Sequence, residues 1–197
     1  MKNILVSQRT DYIKNRKQFN DSIDQRLTDF IIKAGFRPIL VPNNNYKIFL
    51  SWVNKFKYSG FLLSGGGDIG AKENINRDKI ESHLIDLALK KKIPLFSICR
   101  GMQMLGYKLG IKLKRVKGHV GKRHKVFFGK KSIFVNSFHN YSLAKCPENF
   151  NVVSKSLDKN IESIIHKKLP IYGCMWHPER EKKFKIDDIK MFKKIFK

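Results

Sequence analysis

Through the first hundred residues, short apolar runs alternate with segments of helical spacing, and few folds accommodate that rhythm. Asn3 to Ser7, Pro38 to Val41, Gly60 to Leu63 and Ile93 to Ile98 read as buried strands. Between them, Asp21 to Ala34 places Ile23, Leu27, Phe30, Ile31 and Ala34 at helical spacing, with Asn20 or Asp21 as cap and Gly35 as stop. Tyr46 to Lys57 and Asp78 to Lys92 read as two further helices. Strand–helix alternation with short connections argues for a parallel sheet with helices on both faces. After Gly110 the texture becomes β-rich, with strands expected at Lys125–Phe128, Ser132–Val135, Val152–Ser156, Ile161–His166 and Ile171–Trp176 before a terminal helix, Ile186–Phe196. The second half therefore reads as a mixed extension of the first sheet. No repeat or low-complexity linker interrupts residues 1–197, which read as a single domain.

Composition narrows the function classes. A chain of 197 residues that is 42% hydrophobic can bury a full core, which argues against wholesale disorder. No apolar run approaches the roughly 20 residues that a membrane-spanning helix needs, so no membrane insertion is expected. The opening MKNILVSQRT lacks the long apolar stretch of a secretory signal, and a cytoplasmic location follows as the expectation. Three cysteines, Cys99, Cys146 and Cys174, are too few for a disulfide scaffold, and a free thiol in a reducing compartment is available for chemistry.

Lys and Arg number 41 against 16 acids, a formal charge of +25. Such a balance favours anionic partners. The densest stretch, Lys112 to Lys131, carries nine basic residues and no acid. It reads either as a solvated face or as an anion site facing substrate. Helix-turn-helix, zinc-finger and RNP patterns are all missing, so nucleic acid is not the expected partner.

The chemistry concentrates in three places. In PLFSICRGMQMLG, a buried strand meets Cys99 and a helix begins directly after it. A nucleophile at such a tight turn has its side chain thrust outward, above a helix N-terminus whose partial positive charge favours a thiolate. In YGCMWHPERE, an apolar strand leads to His177, with Glu179 two residues on, the arrangement of a base and the carboxylate that orients it. In SGGGDIG, Ser64 to Gly70, consecutive glycines after a strand leave backbone N–H groups free to point into a cleft, as an oxyanion hole requires. The glycines match neither GxGxxG nor a Walker A motif, so nucleotide hydrolysis is not indicated.

These pieces, in this order, resemble the class I glutamine amidotransferase superfamily: C-x-G-x-Q at Cys99, Gly101 and Gln103, and W-H-P-E at Trp176 to Glu179, downstream of the glycine loop. Within it, ICRGMQ, VNSFHNYS (Val135 to Ser142), SQR and AGFRPILVPN are similar to the γ-glutamyl hydrolase branch, typified by γ-glutamyl-γ-aminobutyrate hydrolase. The resemblance implies a doubly wound, mostly parallel sheet with a mixed β extension and a Cys99–His177–Glu179 triad. It implies an oxyanion hole from the N–H groups of Gly66 and Arg100. Substrate contacts are implied at Gly67, Gln103, Ser137, His139 and Tyr141, with Arg9, Arg16 or the Lys112–Lys131 stretch meeting an anionic portion.

The chain is short between Gly67 and Arg77 and again after Leu113, where longer branch members carry substrate loops. This compact form, with QRTDY near the start and DSIDQRL in the first helix, is similar to small members that serve sugar or capsule modification, one such activity being γ-glutamyl-CDP-amidate hydrolysis. The expected substrate is thus a small γ-glutamyl amide, with a nucleotide-linked one as the leading candidate. A γ-glutamyl-γ-aminobutyrate hydrolase and a glutaminase subunit feeding ammonia to a separate synthase stand as alternatives, and a homo-oligomer is left open. No cofactor or metal is expected: Cys146 and Cys174 lack matched ligand spacing, and His119 with His124 reads as incidental.

Overall fold

A computed structural model describes residues 1–197. The strands are β1 (Lys2–Ser7), β2 (Arg9–Ile13), β3 (Gln18–Ser22), β4 (Phe36–Val41), β5 (Gly60–Leu63), β6 (Leu95–Ile98), β7 (Leu113–Arg115), β8 (Val120–Phe128), β9 (Lys131–Phe138), β10 (Tyr141–Leu143), β11 (Phe150–Ser156), β12 (Ile161–His166) and β13 (Ile171–Cys174). The helices are α1 (Gln25–Lys33), α2 (Tyr46–Val53), α3 (Ile75–Lys91), α4 (Arg100–Lys108) and α5 (Ile186–Ile195).

Nine strands form one sheet in the order β4-β1-β5-β6-β13-β12-β11-β8-β9. The first five run parallel and the remaining four antiparallel. This is the doubly wound sheet with a mixed extension that the sequence led us to expect. β4 and β5 lie on opposite sides of β1, so the winding reverses there. Such a switch opens a crevice at the carboxyl ends of the strands.

Two apolar layers cover the sheet. On one face, Phe49 and Val53 of α2, Ile80, Leu84 and Ala88 of α3, and Met102 and Leu105 of α4 pack with Leu5, Phe61 and Leu95. On the other, Leu27, Phe30 and Ile31 of α1 and Phe192 and Ile195 of α5 pack with Ile4, Val6 and Phe96. Both layers are predominantly aliphatic and aromatic, so burial is the main force holding the fold.

Two local expectations change. Helix α1 starts at Gln25, capped by Asp24, whose side chain accepts from the Arg26 N–H at 3.1 Å. Asn20 and Asp21 belong instead to a β2–β3 hairpin, where Asp21 accepts from the Asn43 backbone and side-chain nitrogens, each at 2.8 Å. A cross-strand Tyr12–Phe19 pair, centroids 4.8 Å apart, stabilises this hairpin without burying an apolar face. Helix α2 stops at Val53, short of Lys57.

One buried ionic network binds the parts that carry the site. Glu81 of α3 receives Arg77 Nε on Oε1 at 2.9 Å and Ser7 Oγ at 2.7 Å, and its Oε2 pairs with Arg100. Arg100 also pairs with Asp78. Burial raises the Glu81 carboxyl, but Arg100 and Arg77 outweigh it and hold it below the usual range. The network joins β1, α3 and the first turn of α4. Glu81→Ala would leave the buried Arg77 guanidinium without a carboxylate and Arg100 with Asp78 alone. A loss of about 3–5 kcal/mol is expected, read as a lower midpoint in equilibrium denaturation.

Candidate active site

Cys99 closes β6 and opens α4. Its backbone lies at φ 51°, ψ −107°, a region L-residues rarely occupy. The turn is fixed from both sides: the Cys99 N–H donates to the Cys174 carbonyl at 2.7 Å, and its carbonyl accepts from the Gln103 N–H at 3.0 Å. Gly101 is required beneath it, since a Cβ there would stand 2.3 Å from the Leu63 carbonyl oxygen. The side chain thus sits at the N-terminus of α4.

The Ser64–Gly67 loop follows β5. Gly66 and Gly67 adopt φ of 85° and 77°, conformations suited to glycine. Arg77 holds the loop by its carbonyls, donating to Gly66 at 2.6 Å, Ser64 at 2.8 Å and Gly65 at 3.3 Å. With the Ser64–Gly66 carbonyls taken by a buried guanidinium and the Ser64 N–H by Ser7 Oγ, the Gly66 and Gly67 N–H groups are left without a protein partner. Gly65 makes room for the imidazole: a Cβ there would lie 2.6 Å from His177 Cε1.

His177 follows β13. Its Nδ1 pairs with Glu179 Oε1 at 2.7 Å, which leaves Nε2 for the cleft. Asn136 clamps the backbone from β9, accepting from the His177 N–H at 2.9 Å and donating to its carbonyl at 2.8 Å. Burial opposes a charge on the imidazole. The Cys99 sulfur across the cleft and the Glu179 carboxylate outweigh burial and push the His177 pKa up to about 9. Cys174 lies in the core, where burial pushes its thiol well up, and it does not line the cleft.

Cys99 and His177 share a cleft of about 230 Å³ with Gly66, Gly67, Asp68, Arg100, Gln103, Phe138, Tyr141 and Arg180. The expected residues divide by where they stand. Gly66, Gly67, Gln103 and Tyr141 are on the cleft wall, and Gln103 Nε2 donates to the Tyr141 carbonyl at 3.0 Å. The Arg100 guanidinium turns away to Asp78 and Glu81, leaving its backbone to face the cleft. Ser137 is buried, its hydroxyl donating to the His119 carbonyl at 2.6 Å. His139 borders the cleft, but its ring is buried and both nitrogens point to protein groups. Arg9 lines a separate hollow behind the His177–Glu179 pair, its stem against Gly66. Neither Ser137, His139 nor Arg9 therefore presents a free side-chain polar group to the cleft that holds Cys99.

Three residues escaped the sequence reading. Arg180 reaches the cleft, stacked over Phe138 at 4.9 Å; its place directly after Glu179 was the available signal. Arg77 and Asn136 act across the fold, and nothing local marks them. A further surprise is that His119 and His124, expected to be incidental, gather with His139 around buried Glu162.

Comparisons with known proteins agree with this geometry. The family model for glutamine amidotransferase class-I matches residues 16–196. A γ-glutamyl-CDP-amidate hydrolase of Campylobacter jejuni is 36% identical over 156 residues, covering 77% of this chain and 76% of that protein. One subunit of a glutamine-hydrolysing GMP synthase from Methanocaldococcus jannaschii is 32% identical over 61% of this chain and 64% of its own length. Against the whole GMP synthase of Brachyspira hyodysenteriae, the chain spans only 31% of the relative. Among solved structures, a GMP synthase subunit from Thermoplasma acidophilum superposes with TM-score 0.72 at 22% identity, over 100% of this chain and 92% of that one, a likeness of fold. The family model and the Campylobacter relative together make this chain a member of the class I glutamine amidotransferase family.

Proposed function

We propose that this protein hydrolyses a γ-glutamyl amide through a thioester on Cys99. The observation that carries the reading is the meeting of a strained cysteine at a helix N-terminus with a buried His177–Glu179 pair, beside a glycine loop pinned by its carbonyls. The Cys99 sulfur attacks the γ-carbonyl, whose electron pair moves to oxygen. The N–H groups of Gly66 and Arg100 bind that oxyanion. As the C–N bond breaks, His177 Nε2 gives its proton to the departing nitrogen. His177 then takes a proton from water, which attacks the thioester and releases glutamate and the Cys99 thiolate beside protonated His177, restoring the starting pair. Glu179 holds the ring in place through Nδ1.

The substrate we favour is γ-glutamyl-CDP-amidate, supported by the name of the Campylobacter relative and by its matching length. Arg180 is the cation suited to the substrate's phosphates: it lines the cleft, and its guanidinium spreads over Phe138. The relatives named as GMP synthase subunits favour a second reading, a glutaminase working with a separate synthase. In either reading, residues 1–197 act as one domain.

Glutamate release from γ-glutamyl-CDP-amidate, γ-glutamyl-γ-aminobutyrate and glutamine, by the isolated chain and its Cys99→Ala variant, tests the reading. Cysteine-dependent release from the CDP-amidate is expected; silence on both conjugates overturns it in favour of the synthase-dependent glutaminase. Arg180→Ala should raise KM for the nucleotide-linked substrate by about tenfold or more, with little change for γ-glutamyl-γ-aminobutyrate. The pH profile supplies an independent check. Protonated His177 is needed at the leaving nitrogen, and that form is lost as pH rises through about 9. kcat/KM should therefore fall on the alkaline side near that value, and Glu179→Gln, which removes a charge that raises it, should move the limb to lower pH.

A further inference from the structure

Four buried or half-buried side chains outside the Cys99 chemistry converge on one point. They are His119 before β8, His124 on β8, His139 between β9 and β10, and Glu162 on β12. Their donor atoms all lie within 4.8 Å of one another. Glu162 is fully buried, and neither of its carboxylate oxygens has a hydrogen-bond partner. A buried carboxylate without donors is costly unless a cation answers it.

The hydrogen bonds around the cluster fix which nitrogens face inward. His139 Nδ1 lies 3.1 Å from the Tyr141 carbonyl, which only accepts, so Nδ1 carries the hydrogen and Nε2 presents a lone pair. His119 Nε2 lies 2.9 Å from Asp158 Oδ2, which likewise leaves Nδ1 as the inward lone pair. His124 Nε2 is also buried without a partner. The inward donor set is therefore three imidazole nitrogens and one carboxylate.

The spacing separates a metal from a shared proton. Imidazolium–carboxylate hydrogen bonds run to about 2.7–2.9 Å, and the His177–Glu179 pair of this chain lies at 2.7 Å. The contacts to Glu162 are longer: 3.4 Å from His119 Nδ1, 3.6 Å from His124 Nε2 and 3.6 Å from His139 Nε2. His119 Nδ1 and His139 Nε2 stand 3.2 Å apart. A tetrahedral zinc ion with bonds of about 2.0–2.1 Å separates its ligand atoms by about 3.3–3.4 Å. The separations among His119, His139 and Glu162 Oε1 come near the edges of that tetrahedron, with His124 approaching the second carboxylate oxygen and all the donor atoms lying within 4.8 Å.

We propose that His119, His124, His139 and Glu162 form a closed, four-ligand site for a divalent cation of the zinc class. Three nitrogens select zinc or its transition-metal neighbours over magnesium or calcium. Asp158 and the Tyr141 carbonyl supply the outer contacts that orient metal-bound imidazoles, and Asp158 is itself held by Ser156 and Asn160 at 2.5 and 2.7 Å. With all four positions taken by protein, the site is structural. It would join β8 and β12 to the segment carrying Tyr141, whose carbonyl also takes the Gln103 hydrogen bond, and so fix one wall of the cleft. The proposal does not depend on the identity of the substrate.

The test uses the full chain without a histidine tag. Cobalt(II) titrated into protein stripped by chelator should give the intense visible absorption of a tetrahedral ion, saturating at one equivalent and abolished by zinc. Cys99→Ser should keep this band, which excludes the catalytic thiol as its source. His124→Gln should lose it, and Asp158→Asn should weaken affinity by about 10–100-fold. Zinc should also raise the melting temperature of the stripped protein. Wild-type protein that gives no tetrahedral band and no zinc-dependent melting shift, or a band lost in Cys99→Ser and retained in His124→Gln, overturns the site and leaves a proton-bridged cluster.

Discussion

Glu81 is the hinge of this architecture, a single carboxylate at the centre of the core that two guanidinium groups and a hydroxyl share. Such a network is not a cheap source of stability, because each charge leaves water to enter it. Its value is geometric. Arg77 grips the Ser64–Gly66 carbonyls, Arg100 fixes the first turn of α4, and Ser7 links both to β1, donating to Glu81 while accepting from the Ser64 N–H at 3.0 Å. The loop after β5 and the turn after β6 are thereby set relative to each other by one residue of α3. A displacement of either would leave a charge in the core unanswered, so the cleft is rigid where the proposed chemistry needs precision.

That rigidity also explains how the Cys99 turn persists. A non-glycine residue at φ 51° is destabilised by its own Cβ. The surrounding contacts over-determine it: a hydrogen bond to β13, another into α4, close backbone approach at Gly101 and the anchored Arg100. The strands arrange the partners in the same way. β5, β6 and β13 are neighbours in the parallel sheet, so their carboxyl ends deliver the glycine loop, Cys99 and His177 to one crevice although they are far apart in sequence.

What the sequence reveals follows from the range of each interaction. Gly60–Leu63 and Ile161–His166 were legible to the residue because they are apolar runs bounded by turns. Cys99, His177 and Glu179 were legible because each sits in a short motif at a strand end. Arg77 and Glu81 were not: an Arg and a Glu four apart on a helix ordinarily read as a surface pair, and only the packing of α3 over β5 buries them. The β2–β3 hairpin was missed because its burial does not alternate cleanly, and it closes through polar contacts with Asn43. His139 fell in the motif expected to meet substrate, yet its ring turns toward Glu162, a partner separated from it by two strands and invisible to local spacing.

The large positive charge can be apportioned by the same reasoning. Lys112–Lys131 runs through β7 and β8 and ends at the first residue of β9, the edge strand, and its basic residues are largely exposed. Arg123 pairs with Glu181 and Lys125 lies over Phe134, so part of the stretch is engaged with the protein's own surface. Charges near a sheet edge oppose pairing with another chain, a role that requires no ligand. At the other edge, Pro38 within β4 serves the same end by removing a hydrogen-bond donor. Arg180 is one cation at the mouth of the cleft, restrained by Phe138, with Asp24 at 3.6 Å and Glu179 at 3.9 Å beside its Nε. A screened surface charge falls away within about 8–10 Å at ordinary salt, whereas a fixed guanidinium beside the reacting centre acts at contact. On the reading proposed above, recognition of an anionic substrate would turn on where Arg180 stands, and very little on the sum of the chain's charge.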